Sequence, residues 1–95
     1  MTRKQIIQMY RDWRKANGNK KPNRVIVRMY WEDESPEETR VDTIGLEPES
    51  YWTDHDNPAI LWYSSSLDGL YQLTKPGNGS DFVVVEFLEF YKVEN

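Results

Sequence analysis

The stretch Phe82–Val93, FVVVEFLEFYKV, decides the fold. It is rich in β-branched and aromatic residues and holds no glycine or proline, which reads as a strand. Strict alternation places Phe82, Val84, Leu88 and Phe90 on one side, and Val83, Val85, Phe87 and Tyr91 on the other. Both sides are then apolar, so the second face is covered by residues 47–58 or by a partner, or it is an exposed apolar surface. The same alternation sends Glu86 and Glu89 to opposite faces, where they cannot act as a catalytic pair.

Working outward, Lys75–Asp81 contains Pro-Gly-Asn-Gly-Ser and reads as a turn. Residues 65–74 admit two readings: a hairpin turned by Asp68-Gly69 with Leu70–Thr74 as a strand, or a one-turn helix capped by Ser65. The hairpin is the favoured expectation. Ala59–Ser64 (AILWYS) is a further strand, and residues 47–58, with two prolines and several Asp, Asn and Ser, form a long loop. Arg24–Trp31 (RVIVRMYW) is a strand, and the acidic run Glu32–Glu38 turns it into a returning strand at Thr39–Leu46.

Residues 3–17 read as an amphipathic helix, with Ile6, Met9, Tyr10, Trp13 and Ala16 on one face. Thr2 and Gln5 match a capping box, Asn17-Gly18 a helix stop, and Pro22 blocks continuation. The expected fold class is therefore α+β: an N-terminal amphipathic helix packed on one face of a mostly antiparallel sheet of four or five strands, in a single domain spanning 1–95.

Composition narrows the function. Thirteen of the 95 residues are aromatic, four of them Trp, which gives a small chain the material for a core although only 38% of it is apolar. There is no cysteine, which excludes disulfides, zinc–thiolate sites and thiol catalysis, and points to a reducing cytoplasm. No apolar stretch suits a leader after Met1-Thr2-Arg3-Lys4 or a membrane span, so no membrane association is expected.

Charge is unevenly distributed. Residues 1–28 carry +8 and residues 29–95 carry −12, within a net −4. Arg3, Lys4, Arg11, Arg14 and Lys15 gather on the helix face opposite the apolar stripe, with Ile7 among them, and Lys20 and Lys21 continue the charge. These seven cations suit phosphates or an acidic protein partner, while an ordinary solvated face is the plainer alternative. The acidic remainder weighs against nucleic acid.

No residue pattern carries chemistry. His55 lies in a run of Asp and Asn that reads as a polar turn and matches no calcium loop, Gly77–Ser80 lacks a P-loop ending, and Ser64–Ser66 has no base beside it. Neither a cofactor, a metal nor an enzymatic activity is expected. The aromatic doublets Tyr30-Trp31, Tyr51-Trp52 and Trp62-Tyr63 are more informative. In a strand, one member of a doublet points away from the helix. Such residues dominate protein contacts. The sequence thus favours a small protein-interaction module of accessory or inhibitor type, engaging a protein partner or itself, over nucleic-acid binding through the basic helix and linker.

Overall fold

The computed structural model describes residues 1–47, 60–63 as main chain, and 66–94. Helix α1 covers Arg3–Ala16. Its capping box forms as expected: the Gln5 N–H donates to Thr2 Oγ1 (3.2 Å), and the Thr2 N–H donates to Gln5 Oε1 (2.8 Å). At the other end Gly18 and Asn19 take positive φ, 63° and 62°, and the Asn19 N–H closes the last turn on Arg14 O at 2.8 Å.

Strands β1 (Arg24–Trp31), β2 (Arg40–Gly45), β3 (Ile60–Tyr63) and β4 (Phe82–Tyr91) lie in the order β3-β2-β1-β4. The pairs β2–β1 and β1–β4 are antiparallel and make a three-stranded antiparallel sheet; β3 joins the β2 edge in parallel. The expected mostly antiparallel sheet of four or five strands is thus reduced to three antiparallel strands, because β3 pairs in parallel and the favoured second hairpin does not form. Leu67–Gln72 is instead a second helix, α2, whose N-cap Ser66 accepts from the Gly69 N–H at 2.9 Å. The helical alternative prevails with its cap one residue later than Ser65. Asp68 sits in the first helical turn, where a carboxylate is favourable, and Leu70 is buried in the core. The 47–58 loop lies outside the described residues from Pro48 onward.

The core lies between the sheet and the two helices. Ile6 of α1 and Leu70 of α2 meet Val25, Val27 and Met29 of β1, Ile44 of β2, and Phe82, Val84, Phe87 and Phe90 of β4. Tyr10 packs edge-on to Phe90, with centroids 5.6 Å apart, and Trp31 edge-on to Phe82 at 5.9 Å.

The spacing of the core residues in β4 departs from alternation. Pairing with β1 slips between Ile26 and Val27 and again between Arg28 and Met29, so Leu88 and Val85 are extra residues in two β-bulges. Each bulge shifts the phase by one. Phe87 thereby enters the core and Leu88 leaves it, the reverse of the alternation reading. Glu86 and Glu89, expected on opposite sides, stand across from Arg28 and Ile26 and so share one face.

One end of the sheet is pinned by Asn23. Its N–H donates to Tyr91 O (3.1 Å) and its carbonyl accepts from the Leu46 N–H (3.0 Å). Its side-chain amide donates to Val93 O at 2.9 Å and accepts from the Val93 N–H at 2.8 Å. The side chain thus mimics a strand neighbour for the C-terminal segment. Asn78 plays a similar part between α2 and β4, donating to Leu73 O (3.1 Å), Lys75 O (2.9 Å) and Phe82 O (2.9 Å).

Candidate functional site

The sheet face opposite the helices is built from the alternate residues Arg24, Ile26, Arg28 and Tyr30 of β1. Across β2 they meet Gly45, Thr43 and Val41, and across β4 they meet Tyr91, Glu89, Glu86 and Val83. The two bulge residues Val85 and Leu88 are exposed beside them. Burial is uneven along this face: Val83, at the end across from Tyr30, is 3% exposed and Thr43 is 8% exposed. At one end Arg24 is fully buried and its Nη1 donates to Asn23 O at 2.9 Å. Toward the middle Val41 is 52% exposed, Val85 38% and Leu88 37%. With Met1, these are the most exposed large apolar side chains among the described residues.

Charge frames the apolar positions. Arg28 Nε lies 3.7 Å from Glu86 Oε1, a loose exposed pair. Glu89 makes no ion pair among the described residues and is exposed. The row Val41–Arg28–Glu86 therefore crosses three strands as aliphatic, cation and anion, with Ile26 and Tyr30 half-buried on either side. Such a surface offers apolar contact with charges that fix orientation.

The doublet Tyr30-Trp31 divides as strand geometry requires. Tyr30 belongs to this open face, while Trp31 turns to the helix side and packs against Phe82. Tyr51, Trp52 and His55 lie outside the described residues, and Trp62 and Tyr63 are described only as main chain in β3. Composition alone did not single out Val41, Val85 and Leu88. The run VVVEFL hides two bulges, and Val41 is a lone valine among polar neighbours.

The seven cations do not act as one surface. Arg3 Nε bonds Asp68 Oδ1 at 2.6 Å, tying α1 to α2, and this bond and the carboxylate's charge raise the guanidinium above its ordinary value. Arg14 is half-buried and donates from Nη2 to Asn19 O at 2.9 Å, so it closes its own helix end. Lys20 Nζ faces Glu94 Oε1 at 3.7 Å. Lys4, Arg11, Lys15 and Lys21 are exposed and make no ion pair among the described residues.

Recesses also lie among the described residues. One of about 470 Å³ lies between Tyr10, Asn23, Leu46, Leu67 and Leu70, with Lys21 and Lys92 at its wall. A shallower one of about 630 Å³ lies beside Trp31, Glu32, Asp33, Glu34 and Asp81. Glu32 there accepts from the Gly77 N–H (3.1 Å) and Glu34 pairs with Arg40 (2.9 Å), so two of its carboxylates already have structural partners. Among the described residues no three His, Asp or Glu side chains gather as metal ligands. Nor is any helix among them long and apolar enough to cross a membrane.

No protein-family model matches the chain, and neither curated proteins nor solved structures give a match.

Proposed function

We propose that this chain is a small, non-enzymatic protein-interaction module of accessory or inhibitor type, acting in the cytoplasm, whose contact surface is the open sheet face around Val41, Val85 and Leu88. The observation that carries this reading is the placement of those three aliphatic side chains. They reach solvent on one face, beside half-buried Tyr30 and between Arg28, Glu86 and Glu89. Exposed aliphatic groups that share a face and are rimmed by charge are the pattern of a contact surface. The two bulges support the reading as well, since bulges re-aim side chains at functional edges.

Phosphate binding by α1 and its linker has weaker support. Arg3, Arg14 and Lys20 are engaged within the chain, which reduces the seven candidate contacts to four. Affinity capture from host lysate tests the protein reading. The wild-type chain should retain a partner that Val41→Asp/Leu88→Asp loses and Lys4→Glu/Arg11→Glu keeps. Retention by the sheet-face variant, or loss through the helix variant alone, would exclude the open face as the contact surface.

A further inference from the structure

From the exposed cations of α1 we infer a second, separate contact: Lys4, Arg11 and Lys15 form a docking stripe for the acidic β1–β2 turn of another copy of this chain. The three cations lie at i, i+7 and i+11, within about 20° of one another's average direction around the helix and over roughly 16 Å of its length. All three are exposed and point away from the core residue Ile6. Asp12 at the margin of the stripe is occupied, its Oδ1 accepting from Gln8 Nε2 at 2.8 Å.

The matching element is already ordered. In the turn after β1, the Glu34 N–H donates to Trp31 O (2.9 Å), the Glu38 N–H to Ser35 O (2.9 Å), and the Glu37 N–H to Ser35 Oγ (3.2 Å). Glu34 is held by Arg40, which leaves Asp33, Glu37 and Glu38 exposed and without an ion pair among the described residues. Three free cations on one element thus match three free carboxylates on another, and neither set is paired with the other inside the chain. A rigid turn loses little conformational entropy when it docks, so modest Coulomb attraction suffices for a weak complex. Reciprocal use of both surfaces closes a dimer, and one-sided use extends a chain.

Because every participating group is exposed, the association is weak and strongly screened by salt. Sedimentation velocity over a concentration series tests it directly. At about 0.02 M salt the mean sedimentation coefficient should rise with concentration, and at about 0.3 M it should stay at the monomer value. Lys4→Glu/Arg11→Glu and Glu37→Lys/Glu38→Lys should each remain monomeric at low salt, and an equimolar mixture of the two should associate again, since each supplies the charge the other lacks. This contact does not rest on the sheet-face reading: Val41→Asp/Leu88→Asp should self-associate like the wild type. A wild-type monomer at low salt, variants that fail to recombine, or loss of association through the sheet-face substitutions would each overturn the proposal. So would tight binding of a DNA duplex by the stripe with no self-association.

Discussion

On the helix-covered face of the sheet Val27, Met29, Phe82, Val84, Phe87 and Phe90 are almost wholly buried, whereas on the opposite face Val41, Val85 and Leu88 reach solvent. Strand β4 supplies residues to both. What separates them is the pair of bulges at Val85 and Leu88, which lets a strand that is apolar nearly throughout present phenylalanines to one side and glutamates to the other. Side-chain hydrophobicity alone does not say which face is core. Register against the neighbouring strand does.

The contrast between the faces can be broken most severely from the covered side. Phe90→Ala removes a ring that packs on Tyr10, and should lower unfolding free energy by about 3–5 kcal/mol in chemical denaturation. A cost below about 1 kcal/mol would mean that α1 is not seated on β4.

Asn23→Ala comes next. It removes both side-chain hydrogen bonds to Val93 and leaves that segment's N–H and C=O to find new partners. A loss of about 1–3 kcal/mol is expected, with hydrogen exchange at the Val93 amide accelerating before that of β1. Uniform acceleration across the sheet would show that Asn23 holds more than this end.

The smallest effect sharpens the comparison at β2. Asp42 stands opposite Val27, on the covered side, and burial raises its carboxyl above the ordinary value of 3.8, against the opposing pull of the Thr43 N–H and Arg40. A raised folded-state value means that the native chain holds this proton more tightly than the unfolded chain. Stability therefore falls as pH rises from about 3.8 through the raised value, and the charged form is a standing cost at pH 7. Asp42→Asn should raise the melting temperature at pH 7, and the gain should vanish near pH 3. A decrease at pH 7 would show that the carboxylate's bond to Thr43 outweighs its desolvation.

Much of this architecture was legible from residue pattern. α1 announced itself through apolar spacing and a capping box, and β1 through its β-branched run, because both signals are local. The features that were not legible depend on partners. A bulge is a relation between two strands, so FVVVEFLEF read alone yields a uniform alternation. α2 was obscured by Asp68-Gly69, a pair that commonly turns a hairpin; Ser66 and the burial of Leu70 against the core decide for a helix. Tyr30 and Trp31 do point to opposite sides, and Val85 keeps the side that alternation gives it, but Leu88 reaches the open face only through the bulges. The basic helix face was legible as charge, while the tethering of Arg3 to Asp68 and of Lys20 to Glu94 required the fold.

The central claim, that bulges in β4 put Phe87 inside and Leu88 outside, is tested most directly by equilibrium unfolding of Phe87→Ala and Leu88→Ala side by side. The bulged strand predicts a loss of about 3–5 kcal/mol for Phe87→Ala and under about 1 kcal/mol for Leu88→Ala. Regular alternation predicts the opposite order, with Leu88 in the core beside Val84 and Phe90, and that order would contradict the account.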